Sequence, residues 1–257
     1  MLLVIGHSNI DVQLQLQHMP GPGASSPVQS RRTVYGGTAC NIARHAASLG
    51  VDVRLWSRVG PDFPLDWLQA LEEDGVKLAY EEGTRTPTCF ILTDAAGEQS
   101  YMMDQGAMTP PYTVPLTLLD GVTQVHIGTG DPAAYLPFAT EARNRGIPVA
   151  FDPGQEIHFA YDSNSFEALL NKANTFWCNE VELEKAFQFM RYGDPVQLLD
   201  HVDTVIVTRG ENGADIYTPK GKQHVPAAPA TVVDPTGAGD AFRAGYYAGG
   251  PAIAAKV

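Results

Sequence analysis

Cysteine is scarce: the 257-residue chain has 3, at Cys40, Cys89 and Cys178, far apart and odd in number. With no Cys-x-x-Cys pair and no His/Cys ligand spacing, a disulfide framework and a zinc-knuckle class are excluded. The three read as buried or half-buried thiols of a reducing compartment, and a cytoplasmic location is expected. Basic charge is also short, with 17 Lys and Arg against 29 Asp and Glu, a formal net charge of −12. Nucleic acid and anionic membranes attract the opposite sign, so neither is an expected partner. A phosphate-bearing ligand stays open, because backbone amides and a metal supply positive potential locally. No apolar run reaches the ~20 residues that span a bilayer as a helix. The stretch from Met1 to Ile5 has no basic n-region and is too short for a signal peptide. Repeats, low-complexity tracts and linkers are missing too. One domain over residues 1–257 is expected, with 44% hydrophobic residues to fill its core.

What is present has the rhythm of an α/β protein. Leu2-Leu3-Val4-Ile5 is a strand buried on both faces. Residues 12–19 alternate apolar with Gln, a half-exposed strand, and Gly21-Pro22-Gly23 turns the chain. A second exposed pair, 88–93 and 99–103, flanks Asp94-Ala95-Ala96-Gly97. Helices are expected over 39–49, 65–74, 135–145, 165–173 and 181–190, with strands over 51–59, 124–127, 148–151, 175–178 and 204–208. From Val125 onward the alternation calls for a parallel sheet with helices on both faces, where ligands gather at the carboxyl ends of the strands. Asn9/Asp11, Asp131, Asp152, Asn179/Glu182 and Thr208/Gly210 all fall at such ends.

The densest signal is Asp234-Pro235-Thr236-Gly237-Ala238-Gly239-Asp240. Small residues let backbone amides approach an anion, and the helix that follows adds free N–H donors and a favourable dipole. A carboxylate, Asp240, beside an anion site is electrostatically costly. Placed there, it suggests a base that meets a hydroxyl next to a phosphate, the layout of phosphoryl transfer to an alcohol; the other reading is an ordinary Gly-rich turn capping a helix. Elsewhere the residues leave two readings open. Asn9 and Asp11 point the same way along an extended segment and suit a diol, or they form an Asx turn. Gly36-Gly37-Thr38-Ala39-Cys40-Asn41 either passes close to a ligand or starts a helix. Asn179 and Glu182 lie one helical turn apart and face one point, or they are an acidic helix start.

Together these motifs resemble, in order and over nearly the whole chain, the PfkB family of ribokinase-like carbohydrate and nucleoside kinases. Residues 234–240 resemble its second signature and 36–41 its first. The runs 125–132, 151–155 and 240–245 are similar to the archaeal nucleoside kinases of that family. The resemblance implies an α/β three-layer sandwich with a mostly parallel central sheet plus a small β-sheet lid from about 12–35 and 86–106. It implies Asp240 as catalytic base and Gly237, Ala238 and Gly239 as anion hole. Asn9, Asp11, Gly36, Gly37, Asn41 and Gln105 would bind the acceptor, with Gln105 on a nucleobase and Asp131 and Gln155 behind. Thr208, Gly210 and Gly213 would line the ATP site, where Arg209 either reaches a phosphate or faces solvent. Asn179 and Glu182 would hold Mg²⁺ through water, and the region of Asp234 would support a monovalent cation. The implied reaction is transfer from ATP to the 5′-hydroxyl of a nucleoside. A sugar acceptor or a silent nucleoside-binding sensor are the alternatives, and a homodimer through the lid is implied. The histidines, His7 and His126 included, read as structural. Relatives carry several dozen residues more after the last motif, so the C-terminal part is expected to be incomplete.

Overall fold

The computed structural model describes residues 1–229 and 237–256. In chain order its strands are β1 (Leu2–Ile5), β2 (Asn9–Leu16), β3 (Val28–Gly36), β4 (Val53–Val59), β5 (Lys77–Glu82), β6 (Thr88–Thr93), β7 (Gln99–Asp104), β8 (Gln124–Ile127), β9 (Val149–Phe151), β10 (Thr175–Asn179), β11 (Thr204–Thr208), β12 (Ala214–Thr218) and β13 (Gly221–Val225). The helices are α1 (Thr38–Ser48), α2 (Leu65–Glu73), α3 (Pro132–Asn144), α4 (Ser163–Leu170), α5 (Glu180–Met190), α6 (Ala238–Gly249) and α7 (Pro251–Ala254).

Nine strands form one sheet in the order β13-β12-β11-β10-β9-β8-β1-β4-β5. All neighbours from β11 to β5 run parallel, and the β12–β13 hairpin adds an antiparallel edge. Successive strand residues point to opposite faces, and the core divides accordingly. Leu3, Ile5, Val149, Phe151, Phe176 and Val205 join one apolar cluster with residues of α3, α4 and α5. On the other face, Leu2, Val4 and Val53 pack with α1, while Ala150, Trp177 and Ile206 pack with α6 and with Ala255 just after α7. The sheet is thus the middle of three layers, as expected.

The small sheet has the order β3-β2-β6-β7. Its strand β2 begins at Asn9, three residues earlier than the Gln alternation indicates, because Asn9 pairs with Gly36 and Ile10 with Thr88. Asn9 and Asp11 therefore lie on a strand of the small sheet, ahead of residue 12, where the alternation places its start. Strand β5 escapes sequence patterning because it is an edge strand with mostly exposed or half-buried side chains, and β13 for the same reason. Helix α3 starts at Pro132 instead of Tyr135: Asp131 Oδ1 accepts from Ala133 N at 3.1 Å, a side-chain cap with proline in the first turn.

Candidate functional site

Two distant stretches meet where α1 and α6 start. Both helices are rich in small residues, and buried Ala39, Cys40, Ala43 and Ala244 share one cluster. Close packing brings Asn41, in the first turn of α1, against Asp240, in the first turn of α6. Asn41 Nδ2 donates to Asp240 Oδ2 at 2.9 Å across 199 residues of sequence. Gly237 adopts a left-handed φ of 80° and starts α6, and Ala241 N donates to its carbonyl at 2.9 Å.

Asp11 and Gly36 lie beside Asn41 of this pair. A Cβ built on Gly36 would stand 2.9 Å from Asp11 Oδ2 and 3.5 Å from Asn41 Oδ1. Asn9 Nδ2 donates to Asp11 Oδ1, so the two side chains do share one side of β2. Burial pushes the Asp11 carboxyl up to about 6, partly offset by the Asn9 donor. Gly37 has φ 98°, and a Cβ there would crowd the His7 carbonyl and come within 2.5 Å of Asn9 Oδ1. The second glycine is thus required by chain packing.

Asp240 is 9% exposed and lines an open cleft of about 1210 Å³ together with Ala238, Gly239, Asn179, Glu182, Thr208, Gly210 and Gly213. Burial raises its carboxyl to about 7, with Asp152 and Glu182 adding to the rise and Arg243 and Asn41 opposing it. Buried Glu182 is raised too, by burial first and then by Asp152. Asn179 and Glu182 form a capping box: Glu182 N donates to Asn179 Oδ1 and Asn179 N to Glu182 Oε2, both at 2.8 Å. The motif is a helix start, and both of its residues line the cleft. Among the described residues no cluster of three or more His, Cys, Asp or Glu could hold a metal ion.

Several side chains depart from the sequence reading. Arg209 neither faces solvent freely nor reaches the cleft; it pairs with Asp215 at 2.6 Å and with Glu180. Gln105 Nε2 donates to Glu156 Oε1 at 2.7 Å, which leaves its Oε1 to accept from His7 Nε2 at 2.6 Å. His7 Nδ1 lies 2.9 Å from Thr129 Oγ1, itself 3.0 Å from Thr38 Oγ1 at the cleft. His7 and Glu156 thus belong to a polar chain behind the site, although neither has ligand spacing in the sequence. Gln155 lines the cleft, while Asp131 is spent on capping α3. Asp234 lies outside the described residues, and with it the expected cation loop.

The family model for pfkB family carbohydrate kinases matches residues 1–251. The nucleoside kinase of Methanocaldococcus jannaschii is 34% identical over 253 residues, covering 94% of this chain and 80% of that protein. The ATP-dependent ribose-1-phosphate kinase of Halopiger xanaduensis is 30% identical, covering 96% and 83%. Among solved structures, the nucleoside kinase of Burkholderia thailandensis in complex with inosine superposes with a TM-score of 0.88 at 26% identity, over 97% of this chain and 84% of that one. The same protein in complex with ADP-inosine gives 0.83 at 25% identity, over 97% and 82%. The chain belongs to the pfkB family of carbohydrate kinases, with a ribokinase-like fold.

Proposed function

We propose that this pfkB-family kinase transfers the γ-phosphoryl group of ATP to the 5′-hydroxyl of a nucleoside, with Asp240 as the general base. The carrying observation is the Asn41–Asp240 hydrogen bond at 2.9 Å, which joins the acceptor motif to the anion-hole motif at the edge of the cleft. A carboxyl raised to about 7 suits the role, since a base is most effective with a pKa near working pH.

Asp11, with Asn9, Gly36, Gly37 and Asn41, holds the ribose hydroxyls; Gln105, hydrogen-bonded to Glu156 and His7, keeps one amide N–H for the base. The primary hydroxyl gives its proton to Asp240 as its oxygen attacks the γ-phosphorus in line and the bond to the bridging oxygen of ADP breaks. The amides of Gly237, Ala238 and Gly239, at the positive end of α6, stabilise the charge on the transferring group. Thr208, Gly210 and Gly213 line the remainder of the cleft, where the nucleotide would lie. Asn179 and Glu182 fit Mg²⁺ held through water: the capping box occupies Glu182 Oε2 and both residues stay on the cleft. The ion would supply charge neutralisation between the β- and γ-phosphates.

A phosphorylated or free sugar is the second reading, supported by the 30% identity to a ribose-1-phosphate kinase. An ADP-release assay with ATP and Mg²⁺ over nucleosides, ribose and ribose 1-phosphate decides between them. Turnover with nucleosides, abolished by Asp240→Ala, is expected. Turnover with sugars alone would keep the mechanism and overturn the acceptor.

A further inference from the structure

The first turn of α6 rests on a buried cation. Arg243 is 7% exposed, and its guanidinium meets Asp152 with two donors, Nε to Oδ2 and Nη2 to Oδ1 at 3.0 Å. Its third nitrogen, Nη1, donates to Gly239 O at 3.0 Å. A Cβ on Gly239 would stand 3.0 Å from that same nitrogen, so the turn lies directly on the guanidinium. One helical turn on, the Tyr247 hydroxyl is 2.7 Å from His126 Nδ1, and His126 Nε2 stands 3.4 Å from Asp152 Oδ2. Arg243 and Tyr247 therefore dock one face of α6 onto the ends of β8 and β9. A planar fork suits this double task, because a lysine ammonium cannot hold a carboxylate bidentately and a carbonyl as well.

We propose that Arg243 is a positioning residue for phosphoryl transfer: anchored on Asp152, it holds the Gly239 carbonyl and so aims the amides of Gly237–Gly239 and the Asp240 carboxylate at the cleft. This rests on the roles given to those residues above. Its charge also bears on Asp240. The groups that act on Asp240 are Asn41 from α1, Asp152 after β9, Glu182 on α5 and Arg243 itself, and Arg243 is the cation of that set. Removing it leaves two carboxylates facing a third.

The test compares the full chain with Arg243→Met, Arg243→Lys and the double variant Arg243→Met/Asp152→Asn, using ATP, Mg²⁺ and the acceptor that the unaltered enzyme turns over. Arg243→Met is expected to lower kcat by about 10²-fold, the scale of a misaimed catalytic group. KM for the acceptor should stay within about threefold, since ground-state binding is untouched. The pH midpoint of kcat should move upward. Arg243→Lys should restore the midpoint but not kcat. Asp152→Asn removes the buried carboxylate that Arg243→Met leaves unpaired, so the double variant should melt higher than the single one, with kcat still low. Recovery of kcat together with stability would reduce Arg243 to a fold support, and an Arg243→Met enzyme with unchanged kcat and midpoint would overturn the proposal outright. An unaltered enzyme silent on every acceptor sinks the functional reading and this inference with it; an active one with indifferent variants sinks the inference alone.

Discussion

Substitution of Asp240 by asparagine is the sharpest probe, because shape is kept and only the base is lost. With the carboxyl raised to about 7 by burial, about a tenth of the free enzyme carries an ionised base at pH 6 and about nine tenths at pH 8. The kcat/KM for the acceptor should therefore rise about tenfold over that interval and be lost as pH falls through 7. A carboxylate at its ordinary value near 4 would be ionised throughout and leave the profile flat. Asp240→Asn should lower kcat by about 10²–10⁴-fold and flatten what remains. The same shift has the opposite sign for stability. The folded state holds this proton more tightly than the unfolded chain, so stability falls as pH rises from about 4 to about 7. The melting temperature of Asp240→Asn relative to the unaltered protein should accordingly climb between pH 5 and pH 8. Initial rates across buffers of matched ionic strength and parallel melting curves measure both. A flat profile from pH 6 to 8, or an asparagine variant with more than a tenth of the activity, would refute the assignment of the base.

Other substitutions separate the parts of the site. Asp11→Asn removes a charged acceptor of ribose hydroxyls and should raise KM for the nucleoside by about 10–100-fold, the worth of one hydrogen bond to a charged group, with kcat little changed; an unchanged KM would remove Asp11 from the acceptor site. Gly37→Ala places a methyl group against the His7 carbonyl and Asn9 Oδ1 at a φ of 98°; it should cost about 1–3 kcal/mol or more in a denaturant melt, and a neutral result would mean that the turn is more yielding than its packing indicates. Glu182→Gln keeps the capping box, which glutamine also makes, so melting should hardly move while the Mg²⁺ concentration for half-maximal rate rises. An unchanged magnesium titration would leave Glu182 a helix cap only.

Much of the molecule is legible along the chain because its signals are local. The buried run Leu2-Leu3-Val4-Ile5 and the alternation of strands and helices after Val125 specify a parallel sheet, since each apolar face must be covered by a helix. The Gly237–Asp240 turn and the Gly36–Asn41 turn announce themselves by small residues beside polar ones within a few positions. Strands β5 and β13 leave no such mark, because an edge strand with exposed side chains needs no apolar pattern.

What only the tertiary structure decided lies in contacts between residues far apart in sequence. Nothing in the motif around Asn41 says that its amide donates to Asp240, nor does Arg243 within its own helix point to Asp152, 91 residues away. The ordinary value of a carboxyl belongs to the residue type, but its rise to about 7 at Asp240 comes from burial and from the charges that folding brings around it. His7 carries no ligand spacing in the sequence, yet it is linked to Gln105 and Thr129, since the end of β7 and the turn after β8 converge on it. Local sequence determined the elements and the chemical vocabulary of this protein; the fold chose which words stand together, because electrostatics and hydrogen bonding act over ångströms of space and not over positions in a chain.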